Sequence, residues 1–123
     1  MKRNSWKKRI TEAMCMAGTY RAYYDAVIET LAGILEKRDD AEAVYIKEGA
    51  IPIVEHTNKA GATNMEQNPA LRLVNDLNRD ALQYWRDLGL TPNGLNRLSS
   101  KAEEKEENGP SIVDDIRSRF GVG

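Results

Sequence analysis

The stretch EHTNKAGATNMEQNPA, residues 55–70, decides how this chain folds. It holds the only histidine, His56, with three asparagines, two threonines, a glycine and a proline. It separates two segments with strong helical patterning. Three readings compete for it: an active-site loop, a metal site, or a β-hairpin with a structural task. Just upstream, Ile51, Ile53 and Val54 are β-branched, and Pro52 marks an edge or a strand start. Asn58-Lys59-Ala60-Gly61 has the chemistry of a turn. Thr63 and Met65 suit a short return strand. Residues 51–65 therefore read as a small β-hairpin. A lone hairpin is marginal in water, so this one needs a helix or a neighbouring subunit against it.

Helices are expected on both sides. Asn68-Pro69 opens the one that follows, because Asn caps and Pro is preorganised for the first helical position. Leu71, Val74, Leu77, Ala81, Tyr84, Trp85 and Leu88 continue it as one apolar stripe. Gly89 fits the position just past its end. Thr91-Pro92 repeats the cap-and-proline signal and starts a short helix to about Leu98. Before the hairpin, Tyr20, Tyr23, Tyr24, Val27, Leu31, Ile34, Leu35, Ala41, Val44 and Tyr45 recur at intervals of three and four. They predict a helix from about Thr19 to Glu48, with Gly33 inside it and Gly49 as its stop. Such a helix is about 40 Å long, more than one side of a small globule covers. Lys37, Arg38, Asp39 and Asp40 form a charged interruption where it is expected to bend or lie exposed.

The first segment predicts a helix starting at Trp6, with Ser5 as its N-cap. Trp6, Ile10, Ala13, Met14 and Ala17 make its apolar stripe, and Gly18 ends it. Cys15, between Met14 and Met16, reads as a packing residue. From Ser99, SSKAEEKEENGP is polar and reads as a linker. Ile112, Val113, Ile116 and Phe120 then fall at the spacing of a short amphipathic helix. A docking segment behind a flexible linker and a tail folded on its own domain fit this pattern equally. The fold class is thus mainly α: an antiparallel helical hairpin with a long helix, a small β-hairpin between the helices, and a flexible C-terminal tail. Residues 1–98 form the domain and 99–123 the linker and tail.

Totals narrow the function. The 123 residues are the size of one domain, and charge balances at 18 basic against 19 acidic residues. That excludes a uniformly basic nucleic-acid coat but not a local patch. One cysteine makes no internal disulfide and fits a reducing compartment. No apolar run approaches the roughly 20 residues that span a bilayer, and no secretory signal follows the basic start. A soluble, intracellular protein is expected. A single histidine leaves a zinc site without ligands, and no alternating oxygen pattern suits calcium. There is no nucleophile elbow and no phosphate-binding glycine loop. The carboxylate pairs Asp76/Asp80 and Asp39/Asp40 sit among cations, as solvated surface does. No catalytic residue, cofactor or metal is assigned, and an enzyme is not expected.

Nucleic acid is better supported. Lys2, Arg3, Lys7, Lys8 and Arg9 crowd the first nine residues with no acid among them, and Trp6 lies between. Lys59 at the hairpin turn is a further candidate. Arg72, Arg79 and Arg86 line one stripe, but Asp76, Asp80 and Asp87 balance them. No base-reading motif is present, so phosphate contacts are expected rather than a sequence code.

The order of long helix, HTNKAGATNMEQNPAL, helix and RDLGLTPNGLNRL resembles the small subunit of tailed-bacteriophage terminases. The motif residues are Thr57, Asn58, Gly61, Asn68, Pro69, Leu88, Gly89, Leu90, Thr91 and Pro92, and the likeness covers roughly residues 20–98. Relatives carry a basic residue near the position of Leu95; its absence leaves the last short helix out of the expected DNA contacts. The resemblance implies a non-enzymatic role in viral genome packaging in the host bacterial cytoplasm. It implies binding to double-stranded viral DNA, a ring-shaped homo-oligomer, and recruitment of the large terminase subunit that carries the ATPase and nuclease. Ile112, Val113, Ile116 and Phe120 are the expected contacts to that partner. Two rivals stand beside it. One is a dimeric helix-turn-helix regulator built from the first two helices. The other is a purely structural helical oligomer without DNA affinity.

Overall fold

Glycine sets where each helix stops. In the computed structural model, which describes residues 1–100, α1 spans Arg3–Ala17 and ends at Gly18 in the left-handed region, φ 75°. The Gly18 amide donates to the Cys15 carbonyl and the Thr19 amide to the Met14 carbonyl. This pair of bonds satisfies the last carbonyls, and it needs a residue that tolerates positive φ. The same pair closes α2 (Asp25–Lys47) at Gly49 and α3 (Pro69–Asp87) at Gly89.

Two boundaries differ from expectation. α1 begins at Arg3, two residues before Ser5, and no side chain caps it locally. Its Arg3 amide donates instead to the Glu36 carboxylate of α2, 2.6 Å away. A carboxylate there satisfies an orphan amide and suits the positive end of the helix dipole. α2 is also shorter than expected at its start. Arg21 is extended, and a 3₁₀ turn over Ala22–Tyr24 precedes Asp25. At 23 residues, α2 is still about 35 Å long. It runs unbroken through Arg38-Asp39-Asp40.

The described residues divide into two compact units, Met1–Tyr84 and the segment from Trp85. In the first, α1 lies antiparallel along α2: Gly18 leads into the turn before Asp25, while Arg3 reaches Glu36 and Trp6 reaches Asp39. Ile10 and Met14 of α1 and Ile28, Leu31 and Leu35 of α2 are essentially unexposed and form the core. Each is worth about 1.5–3 kcal/mol of burial. The Arg3 guanidinium rests on α2 at Gly33, where a Cβ would lie 3.1 Å from it.

The hairpin forms where the turn chemistry puts it. β1 (Ile53–Thr57) and β2 (Thr63–Gln67) pair antiparallel, with Ile53 opposite Gln67 and Thr57 opposite Thr63. It extends two residues beyond the predicted end. Asn58 makes the turn: its side-chain oxygen accepts from the Ala60 and Ala62 amides, each at 3.0 Å. Asn68 then ties the hairpin to α3. It is 4% exposed, its oxygen accepts from the Ala70 amide, and its Nδ2 donates to the Ile51 carbonyl. α3 returns antiparallel to α2. Arg38 donates to Asn78 at 3.0 Å, and Ile34 shares a hollow with Asp80, Gln83 and Tyr84. The architecture is mainly helical, with the small sheet between α2 and α3.

In the second unit, the Thr91 hydroxyl accepts from the Gly94 amide and caps the helical turns over 92–100. Gly94 is buried, and a Cβ on it would fall on the Arg86 carbonyl oxygen.

Candidate nucleic-acid interface

Helix geometry decides what the N-terminal cations can do. At about 100° per residue, cations close in sequence spread around the axis. With Ile10 and Met14 turned to the core, Lys8 lies on the outer crest of α1. Lys7 and Arg9 fall on opposite flanks, about 160° apart. Lys2 shares the flank of Arg9, and Arg3 shares that of Lys7. The five cations therefore clothe three sides of one helix rather than a single patch. Lys2, Arg3, Lys8 and Arg9 are exposed, while Lys7 is half-buried.

Two of the five are partly engaged. The Arg3 guanidinium approaches the Glu36 carboxylate at 3.9 Å. The Arg9 guanidinium sits 5.5 Å from the centre of the Trp6 ring, and Arg38 of α2 lies at the same distance from that ring. A ring flanked by two guanidinium groups gains cation–π attraction from both. Its indole N–H donates to Asp39 at 2.7 Å, which fixes the ring between the helices. Among the described residues, no carboxylate pairs with Lys2, Lys7 or Lys8.

Asp39 is the hub beneath this surface. Its carboxylate accepts from the N-terminal ammonium at 2.9 Å, from Trp6, and from Arg38 at 3.0 Å. Burial pushes this carboxyl up. The bonds from the ammonium and Trp6 and the charge of Arg38 outweigh that and hold it below the ordinary carboxylate value. Sequence reading missed Arg38 and Asp39 as parts of this surface. Their partners lie more than thirty positions away, and no local pattern signals them.

The other candidates are dispersed. Lys59 stands exposed at the hairpin turn, on a different element from the α1 cations. Arg79 pairs with Asp76 at 3.6 Å, as solvated helix surface does. His56 is exposed on β1, opposite Asn64, and no metal-binding cluster occurs among the described residues. Cys15 is exposed, not packed: it sits on the side of α1 turned away from Ile10 and Met14. Ile112, Val113, Ile116 and Phe120 lie outside the described residues. No helix among the described residues is long and apolar enough to cross a membrane.

The helix-turn-helix reading does not survive this geometry. Such a unit crosses its helices at roughly 90–120°, whereas α1 and α2 lie side by side from the Gly18 turn to Asp39.

Comparison with known proteins agrees with the likeness carried by the hairpin and the LGLTP segment. The sequence matches the phage terminase small subunit family over residues 3–105. Neither a curated protein nor a solved structure matches it. With most of its length matched, the chain belongs to the phage terminase small subunit family, whose role lies in packaging the phage genome.

Proposed function

We propose that this chain binds double-stranded viral DNA at the packaging site, assembles into a ring-shaped homo-oligomer, and recruits and regulates the large terminase subunit in the host cytoplasm. It acts without catalysis of its own. The observation that carries the DNA assignment is the surface of α1. Five cations and one acid occupy the first seventeen residues of the chain, and Lys2, Lys7 and Lys8 have no carboxylate partner among the described residues. Phosphate is the ligand that such a surface attracts, and base edges are not. A ring multiplies the effect. Each copy repeats the same few contacts, so affinity and salt dependence rise with copy number.

The test is the triple variant Lys7→Ala/Lys8→Ala/Arg9→Ala. Binding to duplex DNA, followed by fluorescence anisotropy, is expected to weaken about tenfold or more. The slope of log affinity against log salt should fall by about 2–3 for three lost phosphate contacts. The assembled mass is followed in parallel by light scattering, so that a loss of contacts is separated from a loss of avidity. Unaltered binding with the assembly intact would remove α1 from the DNA interface.

A further inference from the structure

α2 is longer than the helix beside it. The chain's first residue pairs with Asp39, so residues 40–47 of α2 continue past the start of α1. The β-hairpin follows directly. We propose that this end, the last two turns of α2 with the hairpin, is the surface by which one copy binds a second copy of this chain, head to tail. The inference rests on the reading of the chain as a self-assembling subunit.

Exposed apolar side chains concentrate here. Val44, Ile46, Ile51, Ile53 and Met65 are 48–64% exposed. Ile53 and Met65 share one face of the hairpin, because Ile53 is opposite Gln67 and Glu55 is opposite Met65. Apolar residues grouped in this way mark an interaction site rather than ordinary surface. The hairpin itself lacks cover: of its ten strand residues only Val54 is even half-buried. Two strands alone are marginal, and both outer edges offer unpaired backbone groups. The surface needs a partner in order to be stable.

Charge identifies the partner. Residues 40–67 carry five exposed acids, Asp40, Glu42, Glu48, Glu55 and Glu66, against two bases, Lys47 and Lys59. A two-fold contact would set this acidic surface against itself, and like charges across an interface are costly. α1 of another copy, with Lys2 before it, offers the opposite sign: five cations against one acid in residues 1–17. The contact is therefore between two different surfaces, and such contacts generate rings when they close.

The experiment is sedimentation velocity of the full chain over a range of concentrations. Ile46→Gln/Ile53→Thr/Met65→Thr alters only exposed positions and keeps helix and strand propensity. Its far-ultraviolet circular dichroism should match the parent, and its self-association should weaken about a hundredfold. Leu82→Gln, an exposed apolar site on α3, should keep the parent's mass. Lys2→Glu/Lys8→Glu should also assemble poorly. A one-to-one mixture of it with the triple variant should form dimers, because one intact head still meets one intact tail. A triple variant with the parent's mass overturns the proposed surface and leaves ring assembly standing. A mixture that stays monomeric overturns the head-to-tail arrangement. A parent chain that is monomeric throughout overturns both this inference and the ring.

Discussion

Asp39 ties three parts of the first unit together: the N-terminus, Trp6 of α1, and, through Arg38, Asn78 of α3. In the sequence it stands in a charged run that reads as a bend or an exposed stretch. The structure shows a continuous helix, because the carboxylate has donors on every side that matters. Removing its charge weakens the bonds from the N-terminus, Trp6 and the Arg38 Nε. Asp39→Asn should cost about 1–3 kcal/mol near neutral pH, the range for hydrogen bonds to a charged group. The sign with pH follows from the lowered carboxyl. Its contribution is complete above the ordinary carboxylate value and is lost as pH falls through the depressed one. Urea unfolding of parent and variant at fixed protomer concentration should therefore converge as the pH falls through the depressed carboxyl value.

Among the elements, what was legible is what local chemistry writes. Asn-Pro gave the start of α3, Asn58 through Gly61 gave the turn, and Gly18, Gly49 and Gly89 gave the helix ends. The start of α1 was not legible, because its acceptor is Glu36, far along the chain. Gly94 was missed for a similar reason. It falls inside the short helix expected after Thr91-Pro92, and nothing local marks its close approach to the Arg86 backbone. The two helical glycines should respond in opposite ways. At Gly33 an added methyl meets only the flexible end of Arg3, so Gly33→Ala should be neutral or raise stability by up to about 1 kcal/mol. At Gly94 it meets backbone, which cannot swing aside. Gly94→Ala should cost about 1–3 kcal/mol and reduce amide hydrogen-exchange protection across residues 85–98.

For the whole molecule, the pattern of stripes and caps was enough for the fold class, and it is mainly helical with a small antiparallel sheet between α2 and α3. Pattern did not show which helices share the core: the tightest packing is between α1 and α2. The candidate site was legible as composition only. Five cations in nine residues are visible in the sequence, but their spread around α1 and the Trp6–Asp39 support follow from three-dimensional placement. The assignment of Ile112, Ile116 and Phe120 to the large subunit is tested by deleting residues 108–123. Stimulation of the large subunit's ATPase should be lost, while DNA affinity and assembled mass remain. Intact stimulation would place that contact elsewhere.

The Asn58 turn has a consequence at a distance. Strand register is usually enforced by a buried face, and this hairpin has none. The side-chain hydrogen bonds of Asn58 at its tip and of Asn68 at its base are left as the alignment gauge. A slip of one position on β1 would rotate Ile53 out of the Met65 face and bring Val54 and His56 into its place. A residue whose side-chain hydrogen bonds stay within its own loop thus helps to set what the far end of the ribbon displays. Stiffness at the tip is converted into fidelity at the base.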